Sequence, residues 1–243
     1  MLVVGLAGCG GGTKNSAQTT TQASQQPGTI TLKAYFLRDG KVGPAGRAVP
    51  PTQAVAAAAM QQLLSGPTSL ESGIGLTTGI AVGTTLSGLT ITAGVATVTL
   101  EPQPTADSAL AQVVYTLTQF PTVTAVRFGS SGKALGRADV EAETPRILVE
   151  APLPFDSVTS PVCLSGTADT FEATFTAELV AADGTVLDKH FVTATSGSGT
   201  RGTYATTLTF PSGTTGSATV KVWEPSAENG QPLGTVEIPV NLG

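Results

Sequence analysis

Residues 171–179 read FEATFTAEL, and apolar and polar side chains alternate along the whole segment. This period of two is typical of a β-strand that buries one of its faces. The pattern returns at residues 235–242, TVEIPVNL, and less regularly at residues 204–210. About six or seven such strands, separated by turn residues, predict an all-β immunoglobulin-like sandwich over residues 147–243.

The preceding part of the chain mixes strand and helix patterns. Residues 29–37, TITLKAYFL, alternate as a strand, whereas residues 107–119 carry apolar side chains at helical spacing. The expected elements are a strand at 29–37, a helix at 51–65, strands at 86–92 and 95–100, a helix at 107–119 and a strand at 123–128. This β-α-β-β-α-β order predicts an α+β domain over residues 29–137, with both helices on one face of a small sheet. Residues 138–146, ADVEAETPR, are predicted to form a short linker to the sandwich.

The first nine residues, MLVVGLAGC, end in Leu6-Ala7-Gly8-Cys9, which is similar to a bacterial lipobox. Small side chains give a signal peptidase access to the bond before Cys9, and its thiol accepts the lipid. The apolar run has no Lys or Arg before it and is short for a signal peptide, so we expect the true start to lie upstream. The alternative is a short apolar tail with a chance cysteine. Residues 10–28 are rich in Gly, Thr, Ser and Gln, which predicts a flexible tether between lipid and domain.

The composition narrows the classes of function. The chain has 243 residues, 12% of them charged, with a net charge of −5 and a pI near 4.8. A nucleic-acid-binding protein usually carries a basic patch, and no run of Lys or Arg is present. One histidine and two cysteines leave too few ligands for a zinc site, and we expect no metal and no cofactor.

Three groups of residues in the first domain resemble the sporulation and germination domain called GerMN. They are LLSGPT at residues 63–68, GLTTGI at 75–80 and VVYTLTQFP at 113–121. The later segments SPV at 160–162, SGTA at 165–168, FEA at 171–173 and WEPSAENG at 223–230 resemble the immunoglobulin-like domain of bacterial spore germination. The resemblance implies an envelope protein without a known catalytic activity.

No catalytic residue is predicted. A Ser/His/Asp triad would require His190, and the Gly-x-Ser-x-Gly motif is missing from the sequence. We therefore expect His190 to be a surface or half-buried strand residue. Cys163, beside an apolar strand position, is expected to be buried as a small apolar side chain.

Trp223 and Lys221 are the candidate recognition residues. In VKVW, residues 220–223, the two valines share one face of a strand, so Trp223 and Lys221 share the other. An indole on an outer sheet face could stack on a sugar or on a partner protein. The alternative is that the loop at residues 225–232 covers it.

These observations favour a lipid-anchored, extracytoplasmic protein that acts as a non-catalytic binding or assembly module. The expected partners are the membrane, through Cys9, and peptidoglycan or other envelope proteins. Self-association is a further expectation, because small sheets with helices on one face can stack side by side. An enzyme acting on the cell wall, or an accessory of a cell-wall hydrolase, is the alternative function.

Overall fold

The computed structural model describes residues 28–243. Cys9 and almost all of the predicted tether lie outside the described residues, so the lipobox remains a prediction. The described chain forms an α+β domain followed by an all-β sandwich, and this confirms the predicted fold class. None of the helices in residues 28–243 has the length and apolar character needed to cross a bilayer.

The first domain consists of two small sheets and three helices. Its elements are β1 (Ile30–Arg38), β2 (Lys41–Val49), α1 (Val55–Leu64), α2 (Ser69–Gly73), β3 (Thr85–Thr92), β4 (Val95–Glu101), α3 (Asp107–Leu117) and β5 (Ala125–Phe128). β1 and β2 form an antiparallel hairpin, and β3, β4 and β5 form a separate mixed sheet. Helices α1 and α3 pack against each other and against β1. The domain core therefore lies between the helices and the strands.

The element order is longer than predicted, because β2 and α2 were not expected. β2 reads KVGPAGRAV, whose glycines and proline conceal a strand. Its only partner in the described chain is β1, and proline is tolerated in such an edge strand. Helix α2 is only five residues long and begins with a capping box, in which the Thr68 side chain accepts from the Glu71 amide and the Glu71 carboxylate accepts from the Thr68 amide.

The second domain is a sandwich of a five-stranded and a three-stranded sheet. Its strands are β6 (Ile147–Ala151), β7 (Ser157–Val158), β8 (Val162–Ala168), β9 (Thr174–Ala181), β10 (Val186–Thr193), β11 (Gly202–Leu208), β12 (Gly216–Pro225) and β13 (Pro232–Leu242). The strand orders are β10-β9-β12-β13-β7 and β11-β8-β6. The inward side chains of both sheets form one apolar core, which includes the fully buried Phe175, Leu164 and Leu179.

Two side chains of the sandwich lie elsewhere than expected. Phe171 is 60% exposed, because residues 171–173 form a 3-10 turn and the strand begins only at Thr174. Glu172 in this turn has φ of 53°, which breaks the alternation that the sequence shows. Cys163 is exposed rather than buried, because its neighbours Val162 and Leu164 occupy the inward positions of β8.

The segment predicted as a linker is folded onto the first domain. Residues 137–143 form a 3-10 helix, and Val140 within it belongs to the core of the α+β domain. The Tyr115 hydroxyl lies 2.7 Å from that of Thr144, which ties α3 to the end of this connector. The connector is therefore packed against the first domain and is not a free linker.

Strand β6 is shared by the two domains. Ile147 and Val149 point into the sandwich core, whereas Leu148 between them belongs to the core of the first domain. Because successive side chains of a strand point to opposite faces, one strand closes both cores. β6 also pairs antiparallel with β8, which holds it in the three-stranded sheet.

Candidate functional site

The outer face of the five-stranded sheet carries a row of alternating charges. Cross-strand pairing sets Lys189 of β10 beside Glu178 of β9, Glu178 beside Lys221 of β12, and Lys221 beside Glu237 of β13. Lys189 Nζ lies 2.7 Å from a Glu178 oxygen, and Lys221 Nζ lies 2.9 Å from a Glu237 oxygen. Opposite charges on directly paired positions stabilise a sheet and hold these side chains in place.

Trp223 lies on this outer face, as the alternation predicts, but only 9% of it is exposed. The Lys189 ammonium lies 5.0 Å from the indole centroid, within the range of a cation–π contact. Lys221, the second predicted recognition residue, is paired with Glu237. The structure thus places both residues where expected but leaves Trp223 little surface on which a ligand could stack.

Phe191 forms a large exposed apolar surface on this face. The sequence pattern was not used to predict it. It is 75% exposed and pairs in register with Thr176, which also pairs with Trp223. Strand alternation assigns Phe191 to the same face as Lys189, and this signal was available in the sequence. A single aromatic ring therefore stands out from a face whose charges are internally paired.

Phe171 is a second exposed aromatic side chain. It lies just before the first residue of β9, at the opposite end of that strand from the β9–β10 hairpin turn. Its backbone amide donates to Glu224 Oε1 at 2.7 Å. Glu224 is buried, and its other oxygen accepts from Arg146 at 2.5 Å. The turn that carries Phe171 is thereby fixed from within the domain.

His190 forms a polar bridge between β10 and β11. Its Nδ1 lies 3.3 Å from Asp188 Oδ1, and its Nε2 lies 3.1 Å from the Thr206 hydroxyl. Burial raises the pKa of Asp188, but hydrogen bonds from Thr209 and His190 outweigh it and leave that pKa below its ordinary value. His190 is half-buried, as predicted, and this bridge closes the seam between the two sheets. Residues 28–243 contain no cluster of three or more potential metal ligands.

A partly buried polar cluster connects the two domains around Glu150 of β6. Glu150 Oε1 accepts from Arg137 Nη1 at 2.6 Å and from the Tyr35 hydroxyl at 3.0 Å, and Lys33 Nζ lies 3.8 Å from its other oxygen. Burial raises the pKa of Glu150, but the attraction of Arg137 and Lys33 and these hydrogen bonds outweigh it, so the pKa lies below its ordinary value. Burial, followed by the nearby Glu150 charge, raises the pKa of Tyr35. Glu150 is therefore a carboxylate and Tyr35 a neutral donor at neutral pH.

The fold defines a two-domain protein in which an α+β domain is joined to an immunoglobulin-like sandwich through the shared strand β6. Residues 33–136 match the family described as sporulation and spore germination. Residues 146–231 match the family described as the immunoglobulin-like domain of bacterial spore germination. The chain therefore contains one domain of each of these families, in the order that the sequence predicts.

Several solved structures are similar to parts of the chain. The tandem GerMN domains of the sporulation protein GerM from Bacillus subtilis show 20% identity and a TM-score of 0.39, covering 49% of this chain and 49% of that one. A putative lipoprotein from Clostridium perfringens shows 19% identity and a TM-score of 0.32, covering 51% of this chain and 98% of its own. CopC from Methylosinus trichosporium OB3b shows 16% identity and a TM-score of 0.28, covering 40% and 92%. The chain thus spans about half the length of the GerM structure, and no curated protein matches it significantly.

Proposed function

We propose that this protein is a bacterial envelope lipoprotein, anchored through Cys9, that acts in sporulation or germination as a non-catalytic binding and assembly module. The two domain families support the germination-related role. The Leu6-Ala7-Gly8-Cys9 motif supports an extracytoplasmic location and a lipid anchor. The partner of the module is peptidoglycan or another envelope protein.

The observation that carries the binding role is the outer face around Phe191. Phe191 is 75% exposed on this face, and its aromatic ring offers apolar contact area to a partner. The charges beside it are paired across the strands, so the face needs little rearrangement to receive a partner. The flat ring of Phe191 can stack on the apolar face of a sugar or pack against an apolar side chain of a protein.

Co-sedimentation with purified peptidoglycan tests this role. The full chain, purified in mild detergent, is mixed with insoluble sacculi, and bound protein is measured in the pellet. We expect Phe191→Ser to lower the bound fraction several-fold and to leave the unfolding midpoint unchanged. Leu70→Ser is the matched control, because Leu70 is similarly exposed but lies in the first domain.

The other outcomes of this experiment are also informative. If the Phe191→Ser variant sediments as well as the parent does, the surface around Phe191 is not the binding surface. If neither the parent nor the variant pellets with sacculi, but the parent captures an envelope protein that the Phe191→Ser variant does not, the partner is a protein. Release of soluble peptidoglycan fragments would instead support the alternative of a cell-wall enzyme.

The anchor is tested separately by metabolic labelling with a radioactive fatty acid. The parent protein should carry the label, and Cys9→Ala should lose it. Cys163→Ala is the control, because Cys163 is exposed on the sandwich and should have no effect on labelling. A parent protein that remains unlabelled would disprove the anchor.

Self-association is proposed through the edge of β3. Within the described residues β3 pairs only with β4, and Ile91 on it is 42% exposed. An edge strand offers its backbone amides and carbonyls to a strand of another copy. Analytical ultracentrifugation of the full chain should show oligomers that Thr90→Pro abolishes, and a monomeric parent at all concentrations would refute this part.

A further inference from the structure

A cavity of about 280 Å³ lies at the junction of the two domains. Its walls come from the β1–β2 turn and β2 of the first domain, from the connector and β6, and from β13 of the sandwich. Apolar side chains form most of the lining; they include Val42, Leu76, Leu148, Val236 and Ile238. The volume is near the lower end of the range for small-ligand pockets, about 300–1,000 Å³.

The charged residues at this cavity are mostly basic. Arg38, Lys41 and Arg146 contribute to its wall, against the single acidic residue Asp39. Arg146 is paired with the Glu224 carboxylate, so the local excess comes from Arg38 and Lys41. This local excess contrasts with the net charge of −5 of the whole chain. An anionic group would therefore be attracted to this site, and a cationic group would not.

Arg38 has an unfulfilled hydrogen-bonding capacity. Its Nη1 donates to the Glu237 carbonyl, but its Nε is buried without a partner. Within residues 28–243 the Thr170 hydroxyl is the other buried side-chain atom in this condition. A buried donor without an acceptor costs free energy. Because Nε has almost no accessible surface, a ligand would meet the guanidinium through its Nη groups.

Arg38 also lines a second, more polar groove of about 520 Å³. Its other charged residues are Asp39 and Glu237, so this groove is acidic and does not suit an anionic group. The anionic end of a ligand therefore lies on the cavity side of the guanidinium, and its apolar part lies in the cavity. We propose that this inter-domain cavity binds an anionic amphiphile with a single apolar chain, whose head group accepts hydrogen bonds from Arg38.

Binding is tested by isothermal titration calorimetry on the full chain carrying Cys9→Ser, which needs no detergent because it cannot be acylated. The probes are decanoate and decyl phosphate, which distinguish a carboxylate from a phosphate head group, and decyltrimethylammonium as a cation of equal chain length. We expect one site for at least one anionic probe and no saturable binding of the cation.

Two cavity variants and one charge variant locate the site. Gly43 lines the cavity, its φ is not positive, and an added Cβ would meet only Leu76 Cδ2, at 4.0 Å. Gly43→Leu should therefore fill the cavity and lower the affinity at least about tenfold, since the apolar part loses its space. Val236→Phe fills it from the opposite wall, should Gly43→Leu fail to fold. Arg38→Gln should lower the affinity about tenfold, because a charge-assisted hydrogen bond is lost, and Arg127→Gln is the control away from the cavity.

The proposal is overturned if neither anionic probe binds, if the cationic probe binds equally well, or if a folded cavity-filling variant retains full affinity. It does not depend on the proposed envelope function. Phe191→Ser should leave amphiphile binding unchanged, and Gly43→Leu should leave sedimentation with sacculi unchanged. Failure of one proposal is thus distinguishable from failure of the other.

Discussion

Replacing Arg137 with methionine should loosen the joint between the two domains. Arg137 Nη1 lies 2.6 Å from Glu150 Oε1, its Nε donates to the Thr118 hydroxyl at 2.9 Å, and its guanidinium lies 4.6 Å from the Tyr115 ring centroid. Methionine retains much of the apolar stem and loses every one of these polar contacts. The variant therefore isolates the electrostatic part of the contact.

The expected loss of stability follows from how deeply the Arg137–Glu150 pair is buried. Breaking a fully buried ion pair costs about 3–5 kcal/mol, and an exposed pair contributes about 0–1 kcal/mol. The Arg137 and Glu150 side chains are 30% and 22% exposed, which places the expected loss at about 2–3 kcal/mol. Lys221→Met, which breaks a more exposed pair with Glu237, is the control and should cost less than about 1 kcal/mol.

Unfolding in guanidinium chloride measures this loss with two probes. Trp223 is the single tryptophan and reports on the sandwich, whereas far-ultraviolet circular dichroism reports on both domains. In the parent protein the two transitions should coincide. Arg137→Met should shift the midpoint and separate the transitions, because the domains no longer stabilise each other.

A double-mutant cycle checks the cause. In a Glu150→Gln background Arg137→Met leaves no carboxylate without its arginine partner, so it should cost about 1–2 kcal/mol less there than in the parent. The pH dependence gives an independent check. The folded pKa of Glu150 is depressed, so its stabilising effect is complete above its unfolded pKa of about 4.3 and is lost as the pH falls through the folded value. The difference in unfolding free energy between the parent and Arg137→Met should narrow over that acidic range. An unchanged difference, or a destabilisation below about 0.5 kcal/mol at neutral pH, would refute the reasoning.

Three further predictions concern single positions. Gly166→Ala should destabilise the sandwich by about 3 kcal/mol or more in thermal unfolding, because the new Cβ would lie 1.9 Å from the Leu148 carbonyl oxygen; an unchanged melting temperature would contradict this. Leu179→Ala should cost about 2–5 kcal/mol in a denaturant titration followed by tryptophan fluorescence, since it leaves a cavity in a fully buried position. Thr68→Ala should cost about 1 kcal/mol and speed hydrogen exchange at the Glu71 amide, because the capping box at α2 is lost; equal exchange rates would show that the cap is dispensable.

Local patterns in the sequence were enough to predict the fold class and most of the strands. They failed at β2, where Gly43, Pro44 and Gly46 remove the side chains that make a strand recognisable. They failed again at Phe171, because an alternating pattern does not show that the backbone enters positive φ at Glu172. Both failures concern the backbone, on which side-chain periodicity gives little information.

The candidate site was predicted only in part. Alternation assigned Trp223 to the correct face, but exposure depends on Lys189, which comes from another strand. The cluster around Glu150 was beyond reach, because Tyr35 lies 115 residues away in the chain. One signal was overlooked: Ile147, Leu148 and Val149 form a continuous apolar run, which is typical of a strand buried on both faces.

The double role of β6 has a mechanical consequence. Because this strand closes the core of each domain, the angle between the domains is set by side-chain packing and not by the length of a hinge. A partner held on the sandwich would therefore keep its distance from the first domain for as long as both cores stay packed against β6.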